Sequence, residues 1–172
     1  LKKATLKFFV IQVCAVYCLY KRALKTSLFR PVGSMTASMD HKGYMMRQEL
    51  HTLHATTRGK GLVPITRPVL DWVGATGIRT GLLTLWCRHT SASLTVQENA
   101  DPTVCEDIAR YFEALVPEDP SRYIHDDEGP DDMPAHLRTM LTNTQLSLPV
   151  ADGRPVLGTW QGLYLFEHRR MA

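Results

Sequence analysis

A chain of 172 residues, with 22% charged and 44% apolar residues, has the size and composition of one soluble domain with a substantial core. The net charge is only +3, and seven Lys and Arg residues fall in the first thirty positions, where no acid balances them. The remainder is close to neutral, which excludes a nucleic-acid footprint spread over the domain. We therefore expect no nucleic-acid partner.

The four cysteines are Cys14, Cys18, Cys87 and Cys105. None forms a Cys-x-x-Cys pair, so the pattern supports neither a zinc ribbon nor a disulfide framework. Free cysteines commonly behave as small core residues. We expect buried thiols in a reducing compartment and a cytoplasmic location.

Residues 1–44 differ from the rest of the chain. The apolar run 8–20 is shorter than the roughly 20 residues that a helix needs to cross a bilayer, and no clear signal-peptide cleavage site follows it. We expect residues 1–44 to be an extension outside the folded domain, disordered or not native, and residues 45–172 to form one domain. A targeting or membrane-touching segment is the alternative, although a membrane partner is not expected.

The domain opens with a strand candidate, Gln48 to Thr57, followed by a Gly-rich turn. Thr66 is predicted to cap a short helix that ends at Gly74 and Gly77. The segment 81–87 then predicts a strand that is buried on both faces.

Apolar alternation at Leu94 and Val96 predicts a second central strand, and Asp101-Pro102 predicts the start of a helix. The spacing of four, four and three between apolar residues predicts an amphipathic helix. Its apolar positions are Val104, Ile108, Phe112 and Leu115.

The C-terminal third predicts a helix from Pro134 to Leu141, with Asp132 near its N-terminus, and then a strand from Leu146 to Val150. Asp152-Gly153 predicts a hairpin, with one returning strand from Val156 to Glu167. This element order favours an α+β fold, a mostly antiparallel sheet or β-sandwich with two or three short helices.

Three histidines, His89, His125 and His136, are candidate metal ligands, since imidazole with carboxylate partners is a common way to hold zinc. Ordinary surface histidines are the alternative. Five carboxylates lie between Asp126 and Asp132, either as a solvated acidic loop or as a constrained loop that binds Mg²⁺ or orients a histidine.

Other polar residues have simpler explanations. Thr90, Ser91, Ser93 and the pair Arg169-Arg170 could bind phosphate, but hydroxyls on an exposed strand need no such role. Gly158–Gly162 lies inside the predicted strand, where Trp160 is expected to belong to the core. No Ser-His-Asp order, P-loop or dinucleotide fingerprint occurs.

Five motifs together resemble the YjbQ family, whose members often carry the label secondary thiamine-phosphate synthase. They are His-Thr-Ser-Ala-Ser at 89–93, Glu-Asn-Ala-Asp-Pro at 98–102, Asp-Asp-Met-Pro-Ala-His at 131–136, Gly-Thr-Trp-Gln-Gly at 158–162 and Glu-His-Arg at 167–169. The resemblance covers about Met46 to Arg170. It departs at residues 1–44, and at Met171-Ala172, where family members usually continue into a last strand.

The resemblance implies a compact α+β sandwich, usually a homotrimer, with a polar pocket where the His-Thr-Ser-Ala-Ser and Asp-Asp-Met-Pro-Ala-His motifs converge. Carried onto this chain, the pocket residues are His89, Ser91, Asn99, Asp101, His125, Asp132, His136, Gln161 and Glu167. A divalent ion, zinc or magnesium, would be held by His89, His125 and His136. Glu167, Asp132 and Gln161 would be catalytic. Substrate-binding residues would be Thr90, Ser91, Asn99, Asp101, Trp160, Arg169 and Arg170.

The labelled reaction joins a hydroxymethylpyrimidine diphosphate to a thiazole phosphate, and is the first expected activity. The second is metal-dependent hydrolysis of a small phosphorylated metabolite, with Glu167 or Asp132 as general base. A trimeric metabolite-binding protein without catalysis is the third.

Overall fold

The computed structural model describes residues 7–19, 38–39 and 45–170, which form an α+β fold. The described strands are β1 Lys7–Leu19, β2 Ser38–Met39, β3 Met45–Thr57, β4 Gly61–Pro64, β5 Gly81–Cys87, β6 Ala92–Glu98, β7 Gln145–Ala151, β8 Arg154–Pro155 and β9 Gln161–Glu167. The described helices are α1 Thr66–Thr76, α2 Pro102–Leu115 and α3 Asp132–Leu141, and a 3-10 turn lies at Pro120–Arg122.

The strands form two antiparallel sheets. One has the order β2-β3-β1-β5-β7-β8 and the other the order β4-β9-β6. Buried apolar side chains from both sheets and from α1 form one core cluster. The expected α+β sandwich with short helices is therefore confirmed.

Strand β1 was predicted to lie outside the domain, and here the structure differs. It pairs with β3 along its whole length and with β5 from Ile11 to Val16. Phe9, Ile11, Val13 and Ala15 are each no more than 1% exposed. The run is apolar at most positions on both faces, which hides the two-residue period and makes a core strand look like a targeting segment.

Apart from β1 and β2, residues 1–44 lie outside the described residues, and so does the predicted loss of a last strand beyond Arg170.

We expect Ile11→Ala to lower the free energy of unfolding by about 2–5 kcal/mol, because it removes buried methyl groups and leaves a cavity. Chemical denaturation of the full chain measures this. Leu50→Ala on β3 is the control, since Leu50 is 64% exposed and its loss should change stability by less than about 0.5 kcal/mol. Equal stability of the two variants would show that β1 is not a core strand.

Helix ends agree with the sequence at two positions and differ at one. Asp101 caps α2, with its carboxylate accepting from the Thr103 amide at 2.9 Å, and Gly77 ends α1 in a left-handed conformation with φ 70°. Ile65, not Thr66, occupies the cap position of α1. The Thr66 hydroxyl instead accepts from the Leu163 amide at 2.8 Å, which joins the helix to β9.

In the described part of the chain, no helix is long and apolar enough to cross a membrane.

The predicted hairpin at Asp152-Gly153 is present, with positive φ at both residues (49° and 81°) as tight hairpin turns prefer. The predicted single returning strand is wrong. Only Arg154–Pro155 returns along β7, and after a loop the chain enters the other sheet as β9. Trp160 lies in that loop and is 64% exposed, so it does not belong to the core.

Candidate metal centre

Two histidines and one carboxylate converge where the acidic loop enters α3. Asp132 is the first residue of α3 and His136 lies one turn later, on the same face of the helix. Asp132 Oδ2 lies 2.9 Å from His125 Nε2 and 3.3 Å from His136 Nε2. The three candidate ligand atoms lie within 4.8 Å of one another. Ligands about 2.0–2.2 Å from a tetrahedral zinc ion are roughly 3.3–3.6 Å apart, so the distance from Asp132 to His136 matches the ion, and small side-chain shifts would bring the other two separations to the same value.

The hydrogen bond on the far side of His136 determines its tautomer. His136 Nδ1 lies 3.1 Å from the backbone carbonyl of Thr90, which can only accept, so the ring proton belongs on Nδ1. With a divalent ion bound, the ring would carry no proton on Nε2, and the lone pair of that nitrogen would face the ion beside Asp132 Oδ2. Two acceptors facing each other are stabilised by a cation between them, and these residues therefore fit a divalent metal.

Asp132 is held in place by Arg169. The carboxylate is 2% exposed, and its Oδ1 accepts from Arg169 Nη1 at 2.7 Å, which leaves Oδ2 for the two imidazoles. Arg169 also donates to Glu128 Oε2 at 3.0 Å and to Asp131 Oδ1 at 3.3 Å. Burial opposes its charge, but these carboxylates raise the pKa of Arg169 above its ordinary value, so it stays a cation.

The predicted phosphate donors Arg169 and Arg170 therefore have other partners. The Arg170 side chain pairs with Glu118 at 2.6 Å, and its backbone amide donates to Asp131 Oδ2 at 2.8 Å. Both arginines join the chain after β9 to the loops around α3. In the described structure they position carboxylates, which is a different role from binding phosphate.

We expect Arg169→Gln to weaken metal binding by about 10–100-fold, because Asp132 loses the charged donor that orients its Oδ2. A competition titration with a chromophoric chelator measures the affinity.

Arg170→Gln is the matched control, since Arg170 is the next residue and contacts Glu118 but not Asp132. Circular dichroism of both variants checks that they are folded. Equal metal affinity in folded Arg169→Gln and wild type would contradict the role of Arg169.

His89 lies outside the three-ligand group. Its Nδ1 accepts from the Ser91 amide at 3.1 Å and lies 3.0 Å from Ser91 Oγ, and its ring meets Phe9 edge-on at 4.9 Å. The proton of the neutral ring is therefore on Nε2, the form that does not ligate through that nitrogen. His89, Thr90 and His136 nevertheless line one cavity of about 610 Å³.

Glu167 lies at the C-terminal end of β9, paired with Ala92. It is 1% exposed, and its carboxylate accepts from the Thr57 hydroxyl at 3.1 Å and from the Arg169 amide at 3.0 Å. These bonds join β3 to the segment that carries Arg169. Glu167 is thus buried, and it is connected to the candidate metal centre through Arg169, whose side chain donates to Asp132.

Three other predicted site residues, Asn99, Trp160 and Gln161, form a second group, and Asp101 lies two residues after Asn99 at the start of α2. The Asn99 amide donates to the Trp160 carbonyl at 3.0 Å, and its side chain donates to the Gln161 carbonyl at 3.4 Å. Gln161 pairs with Glu98, six residues along the strands from the Ala92–Glu167 pair, or about 20 Å. One chain therefore does not bring all the predicted residues into a single pocket.

Sequence reasoning missed the residues that complete the cavity beside His136, notably Trp86, Arg88 and Thr139. Trp86 and Arg88 lie three residues and one residue before His89, so their proximity in the sequence was the available signal. Cys87 lines the same cavity, but burial raises the pKa of its thiol to about 11, and the protonated thiol is a poor nucleophile.

This chain is similar to a known protein family and to several of its members. A family model described as UPF0047 protein YjbQ-like matches residues 51–172. UPF0047 protein sll1880 from Synechocystis is 51% identical over 124 residues, which cover 72% of this chain and 84% of that protein. UPF0047 protein YjbQ from Escherichia coli O157:H7 is 48% identical and covers 73% and 89% of the two chains.

Solved structures share the fold. The conserved hypothetical protein TT1486 from Thermus thermophilus superposes with a TM-score of 0.60 at 38% identity, covering 67% of this chain and 87% of that one. SSO2532 from Sulfolobus solfataricus P2, described as a YbjQ-like protein of unknown function, gives a TM-score of 0.62 at 27% identity, covering 67% and 82%. The family match begins within β3, so β1 lies outside it.

Proposed function

The chain belongs to the YjbQ-like family of UPF0047 proteins, and from that premise we propose that it is a divalent-metal-dependent enzyme acting on a small phosphorylated metabolite. The observation that carries the proposal is the convergence of His125, His136 and Asp132 Oδ2. Three protein ligands leave coordination positions open for water or substrate, which is typical of catalytic rather than structural sites.

Zinc fits this ligand set better than magnesium. Imidazole nitrogen is a good ligand for zinc, whereas magnesium prefers oxygen ligands and retains several waters. The set here contains two imidazoles and one carboxylate. Loading with zinc is therefore the first condition to use in an assay.

The chain's own residues prepare the site in three ways. The Thr90 carbonyl holds the His136 proton on Nδ1, and Arg169 holds Asp132 Oδ1 so that Oδ2 faces the imidazoles. Arg88 and several threonines face the adjoining cavity, where they can donate to phosphate oxygens. When bound, the ion would supply Lewis-acid stabilisation of charge that develops on a phosphate oxygen.

The first candidate reaction is transfer of the thiamine-phosphate synthase type, joining the pyrimidine diphosphate to the thiazole phosphate with release of pyrophosphate. A bound cation, together with hydroxyl and guanidinium groups that donate hydrogen bonds, would stabilise the negative charge of the departing diphosphate. Hydrolysis of a phosphorylated metabolite is the second candidate, because the same open coordination positions can admit water.

One experiment separates these reactions. Zinc-loaded protein is incubated with the two thiamine precursors and assayed for thiamine phosphate, and in parallel with generic phosphate esters and assayed for released phosphate. Thiamine phosphate formed by wild type but not by Asp132→Asn supports the transferase, while phosphate release alone supports the hydrolase. No product in either assay from metal-replete protein would contradict an enzymatic role and favour a metabolite-binding protein.

The assembly and the compartment are also proposals. A homotrimer predicts a solution mass three times the 19.4 kDa chain mass, which light scattering coupled to size exclusion measures. The described cysteines Cys14, Cys87 and Cys105 are free thiols, which is consistent with a reducing cytoplasm. A monomeric mass would contradict the trimer.

A further inference from the structure

Strand β1 lies beside the loop that carries Thr90, the residue whose carbonyl meets His136. The pairing of β1 with β5 ends at Ile11 and Cys87, so the first residues of β1 extend past the end of β5 and flank the loop of residues 88–91. The Thr90 carbonyl lies 3.1 Å from His136 Nδ1. This loop therefore connects β1 to a ligand of the candidate metal centre.

Two contacts hold the start of the loop against β1. The Arg88 amide donates to the Val10 carbonyl at 3.1 Å, and the ring of Phe9 meets the ring of His89 edge-on, with 4.9 Å between the ring centroids. Phe9 is 0% exposed, so a fully buried ring supports the imidazole from behind. Because aromatic pairs prefer a defined edge-to-face geometry, Phe9 limits how the His89 ring can turn.

Two hydrogen bonds hold the end of the loop. His89 Nδ1 accepts from the Ser91 amide at 3.1 Å, and the Ser91 carbonyl accepts from the His168 amide at 3.2 Å. Thr90 thus lies between residues that are held by β1 on one side and by the segment after β9 on the other. A carbonyl lies in the plane of its peptide unit, so its direction follows from the backbone dihedrals around it. The direction of the Thr90 carbonyl therefore depends on both anchors.

We propose that Phe9 is a positioning residue of the metal centre, which acts on His136 through the His89 ring and the Thr90 carbonyl. The inference rests on the proposed function for the metal itself, and it adds a contribution from β1, a strand outside the family match. Phe9 touches no ligand atom of the centre. It holds the loop whose carbonyl bonds His136 Nδ1, and that bond fixes the orientation in which the ring presents Nε2 to an ion.

The zinc affinity of the full chain, measured by competition with a chromophoric chelator, tests this role in Phe9→Leu. Leucine remains apolar but has no ring edge to present to His89. We expect the affinity to fall about five- to tenfold, less than the roughly 10–100-fold effect of direct partners of metal ligands, because Phe9 acts through two intervening groups. A change of this size weakens the site without emptying it.

Val13→Ala is the matched control on the same strand. Val13 is 1% exposed and pairs with Leu85, so this variant also removes buried methyl groups from the core. It lies four residues from Phe9, or about 13 Å along the strand, and does not flank the loop. Val13→Ala should unfold at a lower denaturant concentration than wild type and still bind zinc within about twofold of the wild-type affinity.

A second measurement needs no metal. The His136 Nδ1 proton is bonded to the Thr90 carbonyl, so it should exchange with water more slowly than a free ring proton and give a resolved signal in nitrogen-edited NMR spectra of the metal-free chain. The signal should persist in Val13→Ala and be lost to exchange in Phe9→Leu. A general loss of stability would affect both variants, so this signal separates positioning from support of the core.

Two results would overturn the inference. Phe9→Leu with the zinc affinity and the His136 signal of wild type would show that the Phe9 ring does not position the loop. Val13→Ala with the same losses as Phe9→Leu would show a general effect of core stability. Wild-type protein that binds no zinc would instead remove the proposed metal function, and the His136 signal would then decide the role of Phe9 separately.

Discussion

Loss of the bound metal is the expected result of changing His125 and His136 to alanine together. Wild-type protein dialysed against a low concentration of zinc should retain about one equivalent per chain, because three ligand atoms lie within 4.8 Å of one another. The double variant leaves only Asp132, and one carboxylate already paired with Arg169 is a weak site. Inductively coupled plasma mass spectrometry should find less than a tenth of an equivalent.

His89→Ala is the control for this experiment, because it separates two ligand sets. The sequence predicts three histidine ligands, whereas in the structure the His89 Nδ1 accepts from Ser91 and Asp132 completes the group. Metal retained in His89→Ala would support the ligand set that the structure brings together, His125, Asp132 and His136. Metal lost in His89→Ala would restore the set predicted from sequence, and no metal in wild type after loading with zinc, magnesium or manganese would exclude the metal centre.

Lowering the pH should lower the free energy of unfolding because His168 is buried. This is the second of the two largest effects that we expect. His168 is 1% exposed, and its Nε2 lies 2.9 Å from the Ser93 hydroxyl between the rings of Phe112 and Phe166. Burial, together with the charges of Arg138 and Lys60, lowers the pKa of His168 to about 3, although Glu113 acts in the opposite direction. The folded state therefore keeps this ring neutral.

The direction of this pH effect follows from which state of the chain, folded or unfolded, binds more protons. An unfolded chain protonates this histidine below its ordinary pKa of about 6.5, while the folded chain does so only near 3. Between these values the unfolded state binds more protons, so stability rises with pH and is lost as pH falls. The linkage gives a loss of about 1.5 kcal/mol in the free energy of unfolding between pH 6.5 and 5 from this group.

The variant His168→Gln isolates this contribution, since Gln can still bond Ser93 and does not titrate. Denaturant titrations at pH 6.5 and 5 should show that the variant lacks about 1.5 kcal/mol of the wild-type acid loss. His54→Gln, at an exposed histidine on β3, should keep the wild-type pH dependence. If His168→Gln loses as much stability as wild type over this interval, the buried neutral histidine is not the cause.

The Glu113 carboxylate contributes to the pH dependence of stability at lower pH. The Glu113 carboxyl is partly buried, which opposes ionisation, but Arg138 and Lys60 more than offset burial and lower its pKa. Its stabilising ionised form is therefore lost below the ordinary range of a carboxyl group. The interval from pH 6.5 to 5 lies above that range, so Glu113 does not contribute to the loss of stability measured there.

Local chemistry in the sequence was sufficient for several features. The Asp101-Pro102 pair predicted the start of α2, Asp152-Gly153 predicted the hairpin turn, and the 3.6-residue period predicted α2 itself. Asp132 and His136 are four residues apart on a predicted helix, so their common face followed from helical geometry. These features depend on contacts between residues that are close in the chain.

Long-range pairing decided the rest. Strand β1 became a core strand because β3 and β5 flank it, and the local pattern did not distinguish a buried strand from another apolar segment. Arg169 was predicted as a phosphate donor, but it meets Asp132, 37 residues away, across the sandwich. Arg138, 2% exposed on α3, is buried because Glu113 on α2 binds it through both carboxylate oxygens.

The predicted pocket also depended partly on the sequence and partly on the tertiary structure. The sequence by itself determined which residues carry chemistry, since imidazoles, carboxylates and hydroxyls are recognisable by type and motif. Only the tertiary structure placed His125, Asp132 and His136 together and put Asn99 and Gln161 at the other end of the β6–β9 pair. The physical reason is that antiparallel register fixes which strand ends are neighbours, and register depends on the packing of both sheets against a common core.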